Sequence, residues 1–190
     1  NKYYLFSLLG LTNQPIASDY RRGSLFYSVV DMSLDNGLGD VVSGIKNVPL
    51  NRDTLSEAMI AIPGNNCDIW LVVHRYRTAE FLAYRITAAG IDTVPVISLA
   101  GWKYSGPYHY GTSQMAVSPD RSRIAITDGD QDVVILAEFD PNTGEVFNEV
   151  PVKMPNFTYG VAFSPDNTKL YVNGFLAGSA NYTGLSQMDI

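Results

Sequence analysis

The phrase Met115-Ala116-Val117-Ser118-Pro119-Asp120 returns as Val161-Ala162-Phe163-Ser164-Pro165-Asp166, and each copy leads into a second short run, Arg123 to Thr127 and Lys169 to Val172. A strand-rich unit repeated every forty to fifty residues, roughly, cannot bury its apolar faces alone and must stack on its neighbours. That requirement constrains this chain more than any other feature. It speaks to architecture and leaves the chemistry open.

The repeat supplies a template. A first strand ends in Ser-Pro-Asp, where Pro presets the backbone of a tight turn and Asp favours it. Arg123 to Thr127 is the second strand and Val133 to Phe139 the third, separated by Asp128-Gly129-Asp130-Gln131-Asp132. Asp140-Pro141-Asn142-Thr143-Gly144 turns the chain into a fourth strand, Val146 to Val152, with Gly144 free to take a left-handed conformation. Upstream, Glu57 to Pro63, Ile69 to His74, Glu80 to Thr87 and Thr93 to Leu99 repeat the set. Tyr3 to Leu8, Ser24 to Asp31 and the start of a strand at Asp40 supply a second, third and fourth strand; Gly184 to Asp189 enters another third.

Four antiparallel strands per unit predict an all-β β-propeller. The expected division is a partial blade at 3–50, complete blades at 56–100 and 112–152, and a partial blade at 158–190. About four blades, two of them complete, read as an incomplete segment of a larger propeller. Open sheet edges then favour self-association.

Net charge is -6 and the sequence pI about 4.7, which argues against a phosphate-neutralising surface and hence against nucleic acid. No apolar run reaches the ~18 residues of a membrane span, and Tyr3 to Leu11 lacks the flanks of a leader and reads as a strand. The single cysteine, Cys67, rules out an internal disulfide framework and is expected to be a small buried side chain.

Ser164-Pro165-Asp166-Asn167-Thr168-Lys169-Leu170-Tyr171-Val172-Asn173 resembles the YVTN-type β-propeller repeat, with Asn167 where that repeat has Gly and Gly174 after the Asn. The repeat occurs in surface-layer proteins, sugar-lactone hydrolases and haem-dependent reductases. Tyr27 to Met32, Asn36 to Val41 and Asn66 to His74 are similar to the N-terminal propellers of large secreted proteins of Bacteroidetes. That resemblance implies an extracellular, cell-surface or periplasmic location in a bacterium.

Two stretches carry candidate chemistry. Trp102, Tyr104, Tyr108, His109 and Tyr110 crowd a blade-to-blade connection, on the face where propellers usually bind. Such rings, with hydroxyl and imidazole handles, suit a carbohydrate or protein ligand, whereas the duller role is capping the blades. Asp128, Asp130 and Asp132 alternate as calcium ligands do, but Val133 and Phe139 stand where a calcium loop needs Gly and Glu. A solvated turn is the simpler reading and a weak calcium site the alternative; no other cofactor is expected.

The two histidines, His74 and His109, are too few for a multi-histidine metal centre, and His74 is expected to stack against a neighbouring blade. No serine stands in a nucleophile-elbow context, and no glycine-rich phosphate loop precedes a helix. The expectation is therefore a non-enzymatic binding or scaffold segment of a secreted or surface protein. Its rival is part of a propeller enzyme of the lactonase or haem-reductase kind.

Overall fold

The computed structural model describes residues 1–9, 23–100, 102–103, 113–154, 157–175 and 183–190. They are all-β, in two compact units, Asn1–Leu55 and Ser56–Ile190. The first unit is one antiparallel sheet of β1 (Lys2–Leu8), β2 (Leu25–Asp31), β3 (Asp40–Val41) and β4 (Val48–Asn51). Both β3 and β4 pair with β2, so the outer position is split between two short strands. Pro49 sits in β4, where an outer strand tolerates a residue that cannot donate. Tyr4, Phe6 and Tyr27 stack along one face at centroid spacings of 6.1 Å.

The second unit carries three sheets. β5 (Leu55–Pro63), β6 (Ile69–Arg75), β7 (Glu80–Thr87), β8 (Gly90–Ile91) and β9 (Val96–Leu99) form the first, again with its outer position split, between β8 and β9. β10 (Met115–Val117), β11 (Arg123–Asp128), β12 (Val133–Phe139) and β13 (Val146–Lys153) form the second, in simple sequence order. β14 (Phe157–Phe163), β15 (Lys169–Phe175) and β16 (Thr183–Asp189) form the third.

Alternation along the strands builds the core, because successive side chains leave opposite faces of a sheet. On the middle sheet, Ile124, Ile126, Val133, Ile135 and Phe139 face one way, into a cluster with Ile62, Trp70, Val72 and Phe81 of the first sheet. Ala125 and Val134 face the other way and meet Val161, Leu170 and Val172 of the third. Each sheet is thus the wall of its neighbour.

The two Ser-Pro-Asp turns are built alike. Ser118 Oγ donates to Asp120 Oδ1 at 2.6 Å and accepts the Arg123 N–H at 2.9 Å; Ser164 does the same with Asp166 and Lys169 at 2.6 and 2.9 Å. The Ser164 hydroxyl, then the Thr168 amide and hydroxyl, hold the Asp166 carboxyl down at about 2. In both turns the fourth residue is left-handed, Arg121 at φ 65° and Asn167 at φ 61°. Neither is glycine, and the side chains have work of their own. Arg121 Nη1 donates to the Pro63 and Gly64 carbonyls, at 3.1 and 3.2 Å, in the corresponding turn of the preceding sheet. Asn167 Oδ1 accepts the Asp120 N–H at 3.2 Å in the turn before its own.

Replacing Asn167 by Gly therefore removes a clasp while relieving a strained backbone, and the net change expected in chemical denaturation is under about 1 kcal/mol. Asn167→Ala keeps the strain and loses the clasp, so it should cost about 1–2 kcal/mol. Equal stability of the two variants would show that the backbone strain does not act as described, and an Asn167→Ala variant as stable as the parent would do the same for the clasp.

One expectation needs correction. Cys67 is exposed, not buried, because it occupies a left-handed position (φ 58°) in the turn between β5 and β6. His74 is fully buried, with its ring edge-on at 4.6 Å to Phe81, its cross-strand partner in β7 and a member of the cluster shared with the second sheet.

Candidate functional site

Antiparallel strands in sequence order place alternate connections at opposite ends of a sheet. The tight turns after β5, β10 and β12 share one end. The β11–β12 connection and the segments leaving β9 and β13 share the other. Trp102 and the aspartate loop were separate candidates in the sequence, and this geometry brings them together. The Trp102 indole N–H donates to Asp128 Oδ2 at 3.1 Å.

Asp128 is 1% exposed, at the end of β11, where pairing with Val133 fixes it in the sheet. The same Oδ2 accepts the Gln131 side-chain amide at 2.8 Å, and that amide also donates to the Lys103 carbonyl at 3.0 Å. Gln131 thus ties the loop to the segment carrying Trp102. Asp132 closes the loop in a left-handed conformation, φ 52°, with its carboxylate 3.7 Å from the Lys153 ammonium. Lys153 also donates to the Gln131 carbonyl. The Asp128 and Asp132 carboxylates are therefore each met by protein donors or a cation. Among the described residues no three His, Cys, Asp or Glu side chains converge as a metal-binding group. The side chain of Asp130 lies outside the described set, as do Tyr104, Tyr108, His109 and Tyr110.

Trp102 is half-buried, its ring packed against the core cluster between the first and second sheets. Its backbone N–H donates to Glu149 Oε2 at 3.0 Å. Glu149 belongs to β13, just after Asn148 takes a left-handed φ of 51° and the pairing with β12 shifts register. This bulge re-aims the carboxyl. Oε1 is buried with no hydrogen-bond partner, and burial pushes the group up to about 7 against the weaker opposing pull of the Trp102 N–H. The sequence reading missed Glu149 because its immediate neighbours in β13 are exposed and alternation gives no hint of a buried acid. An Asn-Glu pair at a bulge was the one available cue.

A second polar seam joins the middle and third sheets. Thr127 Oγ1 donates to the Tyr159 carbonyl at 2.8 Å, and Gln114 Oε1 accepts the Val161 N–H at 3.2 Å. Beside it an open groove of about 250 Å³ is lined by Gln114, Gly160, Tyr171, Asn173 and Leu185. These stitches satisfy backbone groups around the irregular pairing of β14.

No protein-family model matches the chain, and no curated protein matches it either. Solved structures do. A protein assigned provisionally as a 6-phosphogluconolactonase, from Bacteroides fragilis, aligns with a TM-score of 0.57 at 13% identity, over 89% of this chain and 48% of its own. A protein with the same provisional assignment from Bacteroides uniformis aligns with a TM-score of 0.55 at 12% identity, over 90% of this chain and 49% of its own. At such identity the likeness speaks to fold alone. The fold is that of a β-propeller, with the antiparallel sheets as blades. The chain spans about half the length of these neighbours. No helix among the described residues is long and apolar enough to cross a membrane.

Proposed function

We propose that this chain is a non-enzymatic binding or scaffold segment of a secreted or cell-surface bacterial protein, and that its contact surface is the corner around Trp102. The observation that supports the reading is the double tether of Trp102. Its indole is fixed by Asp128 and its backbone by Glu149, while part of the residue stays accessible at the end of the blades where connections cross. A ring held in one orientation loses little entropy on meeting a sugar face or a peptide side chain. Carbohydrate or protein is the ligand class that suits it. Leu185 on β16 is 74% exposed, and among the described residues β16 pairs only with β15, which supports association through sheet edges as a further property.

Arrays of bacterial and host glycans and of peptides, probed with the parent chain and with Trp102→Phe and Trp102→Ala, test the reading. Binding that falls about tenfold or more in Trp102→Ala, and less in Trp102→Phe, is the expected result. Equal binding by all three would remove Trp102 from the function.

A second reading, a lactone-hydrolysing propeller, draws on the provisional assignment of the two neighbours and on a carboxyl that titrates near neutrality. Glu149 weighs against it by position, since β13 is the outermost strand of its sheet. Incubation with sugar lactones, 6-phosphogluconolactone among them, should give no hydrolysis above the uncatalysed rate.

A further inference from the structure

We propose that Glu149 is a proton-dependent latch on Trp102, holding the Trp102 backbone when protonated and releasing it when ionised. The inference deepens the reading of Trp102 as a contact residue and gives it a regulator. Its basis is geometric. One oxygen of the carboxyl takes the Trp102 N–H at 3.0 Å and the other is buried with no partner. Among the described residues no cation pairs with Glu149: at this end Arg75 of the first sheet pairs with Glu80, and Lys153 of the second with Asp132. On its own strand, Lys153 serves Gln131 and Asp132. From β12, Glu138 accepts from the Asn148 amide at 3.1 Å. From β11, Asp128 holds the indole, and Lys103, next to Trp102, is exposed.

A carboxylate so placed gains one charge-assisted bond and forfeits hydration at its second oxygen. Burial dominates that balance, so the proton leaves only near neutrality. Once ionised, the group recovers solvation by turning outward, since Glu149 is only half-buried, and the Trp102 N–H loses its acceptor. Asp128 still holds the indole, so release begins at the backbone rather than the ring.

Fluorescence reads this without any ligand, because the chain has two tryptophans and Trp70 is buried. Subtracting the spectrum of a Trp102→Phe variant isolates Trp102. Its emission is expected to shift to the red as pH rises through about 7, with the transition absent in Glu149→Gln, which stays blue, and absent in Glu149→Ala, which stays red. Circular dichroism on each variant separates local release from unfolding. A parent titration with no transition between about pH 5.5 and 8.5, roughly 1.5 units either side of the expected midpoint, would overturn the latch. So would a transition that survives in Glu149→Gln. Because no ligand is present, neither outcome bears on whether Trp102 contacts one.

Discussion

Gly144→Ala should be among the most damaging single substitutions in this chain. Gly144 has φ +78°, and a Cβ there would lie 2.6 Å from two carbons of the Trp70 ring. Trp70 is 4% exposed within the packed core, and its indole donates to the Pro141 carbonyl of the same turn at 3.0 Å, so moving away costs that bond and the packing behind it. The left-handed backbone costs about 1–2 kcal/mol and the overpacking about 1–3 more. A loss of about 3 kcal/mol is expected, lowering Tm by about 9 °C in a chain of this size. Gly37→Ala is the control: φ is +90°, but a Cβ would meet nothing within 4 Å. It should lose only the backbone part. Equal losses in thermal denaturation would show that Trp70 is not wedged against the turn.

The second large effect is acid sensitivity centred on His74. Burial pushes its pKa down from 6.5 to about 3, and the ring lies edge-on to Phe81. The unfolded chain binds the proton between those values and the folded chain does not. The histidine's contribution to stability is therefore complete above pH 6.5 and is lost as pH falls toward 3. From pH 7 to 5 the loss from His74 alone should be about 2 kcal/mol. Glu149 acts in the opposite sense over the same window. Its folded pKa is raised from 4.5 to about 7, so its contribution is complete below 4.5 and fades as pH rises to 7, and in the parent the two offset each other. Denaturant titrations of Glu149→Gln should therefore unmask the acid loss, and adding His74→Leu to that variant should remove it. Acid loss that persists in the double variant would place the acid sensitivity elsewhere.

The blade repeat was readable in the sequence because each turn announces itself. Ser-Pro-Asp builds the same hydrogen-bonded turn twice, and Gly144 takes the left-handed φ its hairpin position called for. The near-continuous apolar runs Ile124 to Ile126 and Val133 to Ala137 fit the two walled faces that the structure shows for these strands. What stayed hidden depends on contacts between blades, which no local pattern encodes. Arg121 and Asn167 look like poor choices for a left-handed turn until their bonds to the preceding turn are seen. Cys67 was expected inside by residue type, and turn geometry put it outside. The split of the outer strands into β3 with β4 and β8 with β9 has no clear sequence marker beyond Pro49 and Pro95. Trp102 and Asp128 were singled out for unrelated reasons, and only stacking of the first two sheets makes them one corner.

The most direct test of Trp102 as the contact residue is the nuclear magnetic resonance spectrum of the two indole N–H groups during titration with whichever oligosaccharide or peptide the arrays identify. The Trp102 indole signal should move with ligand concentration and saturate, while that of Trp70, buried between blades, should stay in place. A ligand that binds and saturates while leaving the Trp102 signal unmoved would contradict the account.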